Sequence, residues 1–180
     1  SEEEKLEEII RRSRKRLKEL IDRLRELVKK IDDDLKRLLD EHRRRLEESE
    51  RRAEELLKKV RDERIKDLVR RHREELRKSH EELEELAREV RRRLERLLRE
   101  LEKILERHAE ELDEIRKMIR AGKDVEKVLK ELEESSRRVV ELIKKLMREL
   151  EKLLRDVEER AKDLLRKNTR SSEELEKRIE

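Results

Sequence analysis

The stretch Ile119-Arg120-Ala121-Gly122-Lys123-Asp124-Val125 holds the only glycine among 180 residues, and the chain contains no proline. A glycine just past a helical run supplies the left-handed residue that ends a helix, and an aspartate shortly after it is a favoured N-cap. Gly122 and Asp124 therefore read as a stop and a restart. Backward from the stop, one face of the sequence runs Ile119, Ile115, Leu112, His108, Leu105, Leu101, Leu97, Leu94, Val90, Ala87, Leu83, Ser79, Leu76, His72, Val69 and Ile65. Forward from it run Val125, Leu129, Leu132, Ser136, Val139, Ile143, Met147, Leu150, Leu154, Val157, Ala161, Leu165, Asn168, Ser172, Leu175 and Ile179. Each series takes 15 steps over 54 residues, or 3.6 per step, the period of an α-helix.

The first third of the chain repeats the pattern, with 15 steps over 54 residues from Leu6 to Val60. The rhythm then breaks across Arg61-Asp62-Glu63-Arg64, where no glycine helps but Asp62 can cap the next helix. Three matched segments predict a single bundle over 1–180, with helices at about 2–60, 63–121 and 124–179. Each would be about 87 Å long at 1.5 Å per residue. Ser1-x-x-Glu4 has the form of a capping box. Asn168-Thr169-Arg170-Ser171 could be a break with Ser171-x-x-Glu174 as a new cap, but unbroken spacing through Leu175 and Ile179 favours one continuous helix. The expected fold is all-α: a long antiparallel up-down-up three-helix bundle. It should be nearly straight, because a 3.6 repeat imposes no heptad supercoil.

Composition narrows the functional classes. The chain is 60% charged and 32% hydrophobic, with no Phe, Tyr, Trp or Cys. Disulfides and cysteine-based metal sites are excluded, and no apolar run approaches the ~20 residues of a membrane span. No signal peptide or other targeting segment is read at the start, which leaves localisation open. The net charge of +4 arises from 56 basic and 52 acidic residues that are finely interleaved. A nucleic-acid surface would gather its basic residues on one stripe, often with aromatics for stacking, so neither nucleic acid nor membrane is expected as a partner. The outer faces carry no second apolar stripe, so a self-contained monomer that needs no partner is the economical reading.

The seams depart from aliphatic chemistry at few places. Antiparallel neighbours should have residue numbers of constant sum, near 121–123 for the first helix pair and 243–245 for the second. Ser13 with His108, His42 with Ser79, and Ser49 with His72 each sum to 121. His108 would then meet Ser135 or Ser136, and His72 would meet Ser171 or Ser172. Ser79 would face Leu164 or Leu165, and Asn168 lies a turn before the Ser171/Ser172 layer and would join it. Three buried hydrogen-bonding layers follow. A neutral imidazole has one donor and one acceptor, and a hydroxyl serves either role, so such layers can close on themselves. A slipped register would set them against leucine. Burial should also hold the seam histidines below the ordinary value of about 6.5, so stability would fall as pH drops below that point.

No catalytic, metal or cofactor site is expected. His72 and His80 lie eight positions apart, and no carboxylate stands on the seam beside them, whereas a zinc site needs three or four converging ligands. A serine–histidine contact without a third orienting group on the seam is not a hydrolase triad. His80 falls beside the seam, at the surface or boundary.

The matched 54-residue seams, aliphatic core, Glu/Lys/Arg surface and Ser/His/Asn layers resemble de novo designed parametric helical bundles with buried hydrogen-bond networks. That resemblance spans the whole chain and rests on design style, with no family motif. It implies a scaffold without natural biochemical activity. Some designed bundles with buried histidine are pH-responsive assemblies, and for His42, His72 and His108 the resemblance implies a similar response. The glycine-free first loop and single-chain layout depart from many of them. Natural spectrin-type repeats, with core tryptophan and shorter helices, are a poorer match. The alternative reading is an interaction module that associates with its own copies or accepts a further helix.

Overall fold

The structure is a computed structural model and describes residues 1–179. Three helices account for nearly all of it: α1 (Glu2–Lys59), α2 (Glu63–Arg120) and α3 (Val125–Ile179), with no strand among the described residues. They form a three-helix bundle, and α3 passes through residues 168–172 without a break.

The helix ends follow from their sequences. Gly122 adopts φ +70°. Its N–H donates to the Ile119 carbonyl at 3.1 Å, and the Lys123 N–H donates to the Met118 carbonyl at 3.2 Å. These are the two bonds of a Schellman ending, which satisfy carbonyls the helix would otherwise leave free. Asp124 then caps α3 by accepting from the Glu126 N–H at 3.3 Å. The first turn needs no left-handed residue: α1 stops after Lys59, every described non-glycine residue has a negative φ, and Asp62 accepts from the Arg64 N–H at 3.0 Å. At the start of α1, Ser1 Oγ accepts from the Glu4 N–H at 3.3 Å.

The chain packs as two compact units, each drawing a segment from every helix. One comprises Ser1–Lys30 and Arg93–Lys152. In it Leu6 and Ile10 of α1, Leu112 and Ile115 of α2, and Val128 and Leu132 of α3 form a buried cluster. The other comprises Ile31–Arg92 and the described residues from Leu153 onward; there Ala53, Val69 and Leu175 are buried against Leu56, Leu57, Ile65 and Leu68. Within this second unit Arg73 pairs with Glu54 at 3.0 Å and Arg77 with Glu50 at 3.8 Å. Four residues forward on α2 is four residues back on α1, the mark of an antiparallel pair.

Burial departs from the expected seam on α3. Val128, Leu146 and Leu153 are buried, while the expected seam residues Leu129, Met147 and Leu154 are only partly so. In a three-helix bundle each helix packs against two neighbours, so its apolar stripe is wider than a single line of residues, and on α3 the residues beside the expected line are the deeper ones. The surface carries i,i+4 pairs such as Arg12–Glu8, Lys36–Asp32 and Arg52–Glu48. These exposed pairs favour the helical state by a few tenths of a kcal/mol each.

Candidate functional site

In the first unit, His108 Nδ1 lies 3.1 Å from Ser135 Oγ, and both residues are buried. Ser135 Oγ in turn donates to Glu111 Oε2. A hydroxyl has one proton, so with that proton on the carboxylate the imidazole must donate through Nδ1. His108 Nε2 is then a bare acceptor, and it is buried without a hydrogen-bond partner among the described residues. The neighbouring Ser136 turns the other way and bonds Ser13 at 2.8 Å.

The second unit contains the same layer in a different state. His72 Nδ1 meets Ser171 Oγ at 2.9 Å, and Ser171 donates to Glu75 at 2.9 Å. By the same reasoning Nδ1 carries the proton. Here Ser172 reaches back to His72 Nε2 at 3.2 Å and closes the ring. Ser49, half-buried on α1, has no side-chain hydrogen bond among the described residues.

A third layer, also in the second unit, is built differently. Asn168 on α3 stands between α1 and α2: its Nδ2 faces His42 Nε2 at 3.2 Å, and its Oδ1 accepts from Ser79 Oγ at 2.9 Å. The amide nitrogen is a donor, so His42 Nε2 accepts and Nδ1 carries the proton. That Nδ1 is buried and unpartnered among the described residues. His80, partly buried beside it on α2, contacts Glu84 at 3.0 Å through Nε2 and also leaves a buried Nδ1 unpartnered.

Electrostatics separate the three rings. Burial pushes His42, His72 and His108 below the ordinary imidazole value, because desolvation disfavours the charged form. Glu75 partly offsets this at His72. Glu111 does so at His108, where Arg14 adds to the lowering. Around His42 nothing offsets it: His80 and Arg45 both push further down.

Several expectations are corrected here. Asn168 does not join Ser171 and Ser172, and Ser79 faces Asn168 where Leu164 or Leu165 was expected. His42 and Ser79 are joined through that amide. Ser49 bonds neither His72 nor any other side chain described. Ser13 bonds Ser136, and His108 Nε2 is left without a partner. The constant-sum rule treats facing residues as points, whereas the Asn168 side chain spans the gap between its neighbours. The carboxylates Glu75 and Glu111 were missed, although both sit at His-x-x-Glu spacing. The signal was available: Ser13, His72, Glu75, Ser135 and Ser136 all recur thirty-six residues later, as Ser49, His108, Glu111, Ser171 and Ser172. Thirty-six residues are ten α-helical turns, so each recurrence lies on the same helix face.

Chemically, these layers hold protons. Each of Ser135 and Ser171 receives a hydrogen bond from its imidazole, so neither ring is placed as a base for that hydroxyl. Among the described residues no group of three or more His, Cys, Asp or Glu side chains converges to hold a metal ion. No helix described is long and apolar enough to cross a membrane. No protein-family model, curated protein or solved structure matches the chain.

Proposed function

We propose that this chain is a structural scaffold, a designed helical bundle without an enzymatic role, whose buried polar layers fix helix register and make its stability acid-sensitive. The observation that carries this reading is the paired layer. One set of residue types, a serine on α1, His-x-x-Glu on α2 and Ser-Ser on α3, occurs twice at a ten-turn interval. Both copies wire an imidazole through a serine to a carboxylate. A buried polar group left unpaired costs about 1–3 kcal/mol, so these layers disfavour any packing that separates them.

Replacing His42, His72, His108, Ser79, Ser135 and Asn168 together by leucine or alanine tests it. The variant should keep its helicity but populate several oligomers and give broadened amide spectra. A sharp single-conformer spectrum from that variant would count against a register role.

The second reading, an interaction module, draws on Ile9 and Leu142, two large apolar side chains that are exposed. Light scattering separates the two: a mass near 22.4 kDa supports the scaffold, and a multiple supports self-association.

A further inference from the structure

The three histidine layers differ in what they can do with an added proton. In the His72 layer, a second proton on Nε2 meets Ser172, whose hydroxyl can rotate to accept, while Nδ1 remains joined through Ser171 to Glu75. In the His108 layer, Nδ1 is likewise joined through Ser135 to Glu111, although a proton on the unpartnered Nε2 finds no acceptor and Arg14 opposes the charge. A positive ring in either place stays connected to a negative group by two hydrogen bonds.

The His42 layer has no such outlet. A proton added at Nε2 confronts the Asn168 amide nitrogen, itself a donor, 3.2 Å away. The other ring nitrogen already carries a proton with no acceptor in reach. The charges that act on the ring from α1 and α2 both oppose a positive imidazole. Arg45 lies one turn along α1, and α2 contributes His80, tied to Glu84. The ring's one hydrogen-bond partner from α3 is the neutral Asn168, whose Oδ1 is taken by Ser79. Glu48, Glu173 and Glu176 line the adjoining cleft of about 280 Å³, but none is hydrogen-bonded to the ring. A buried charge without a paired opposite charge is among the costliest groups a fold can hold.

We infer that the His42–Asn168–Ser79 layer is the acid trigger of the chain: proton uptake at His42 releases α1 from Asn168 locally, while the layers of His72 and His108, each tied through a serine to a carboxylate, oppose the charge less strongly. This rests on the acid-sensitivity reading above and assigns it to one site. His80 deepens the effect, since a positive charge there opposes one on His42.

The test is urea unfolding of the full chain, followed by circular dichroism from about pH 7.5 down to about pH 4.5. The unmodified midpoint should fall across that range. His42→Gln, which keeps an acceptor for Asn168, should lose most of that fall, and His72→Gln and His108→Gln should retain most of it. An unmodified midpoint that stays level overturns acid sensitivity itself and this inference with it. A fall that His42→Gln reproduces in full overturns the assignment alone. Should His42→Gln fail to fold at neutral pH, hydrogen exchange on the unmodified chain decides. Protection factors around Leu39–Leu46 should collapse at a higher pH than those around Ser135 and Ser171, and the opposite order sinks the inference.

Discussion

Ser136 and Ser172 hold the same station in two copies of one polar layer and bond different partners. Ser136 bonds Ser13 and leaves His108 Nε2 bare, whereas Ser172 bonds His72 Nε2 and leaves Ser49 without a side-chain partner among the described residues. One hydroxyl thus faces two claims, and each unit resolves them differently. A layer with one hydroxyl too few can satisfy either its imidazole or its α1 serine.

That contest sets unequal costs for chemically identical changes. Ser172→Ala strips the partner from a buried imidazole nitrogen and should cost about 1–3 kcal/mol. Ser49→Ala removes an unbonded hydroxyl and should stay within about 0.5 kcal/mol of the unmodified chain. Urea midpoints measured side by side at neutral pH check this; equal losses would refute it.

Asn168 joins side chains from all three helices of its layer, so its loss should be felt twice. Asn168→Ala leaves both His42 Nε2 and Ser79 Oγ without their partner, at roughly 2 kcal/mol or more in total. Asn168→Asp should be milder, because the carboxylate still accepts from Ser79 and His42 can place its proton on Nε2 to donate to it. The two variants' unfolding midpoints, ranked against the unmodified chain, test the order.

The two turns should respond to different substitutions. No neighbouring atom would meet a Cβ at Gly122, so Gly122→Ala costs only the strain of a left-handed residue, about 1 kcal/mol. Gly122→Asn should recover part of that loss, since asparagine tolerates this region. In the first turn the sensitive residue is the cap: Asp62→Ala should cost about 1 kcal/mol. Thermal unfolding of the three variants distinguishes strain from a lost hydrogen bond.

Acid titration has a definite sign. Each buried imidazole is held below its unfolded value of about 6.5, so the unfolded chain binds protons first as pH falls. The stabilisation is complete above about pH 6.5 and is lost as pH drops through the folded values. Triple replacement of His42, His72 and His108 by glutamine should flatten the midpoint between about pH 6.5 and the onset of carboxylate titration. A slope unchanged by that replacement would place the acid response elsewhere.

Much of the architecture was legible because it depends on periodicity. A 3.6 repeat, one glycine and two aspartates place the helices to within one residue at each end. The presence of buried histidine was legible for the same reason: His42, His72 and His108 occupy seam positions and are buried. The wiring was not, because hydrogen bonding depends on side-chain reach and rotamer. Glu75 and Glu111 lie off the seam, yet a glutamate is long enough to bend back to a serine at the edge of the core. Asn168 reaches across to two helices, which no count of facing positions can express. The deeper burial of Leu146 and Leu153 over Met147 and Leu154 likewise depends on how the helix is rotated about its axis, which adjacent apolar residues leave open.

The ten-turn recurrence creates an ambiguity that the chain must resolve. With two like layers, a helix displaced by thirty-six residues would still find one acceptable set of polar partners, so those layers alone do not define a unique alignment. Asn168 has no counterpart thirty-six residues earlier on α3, where Leu132 stands; Leu6 stands thirty-six residues before His42 on α1, and Ile115 thirty-six after Ser79 on α2. The odd layer is what makes the displaced alignment chemically wrong. Removing it should produce a protein that folds readily but into two competing alignments.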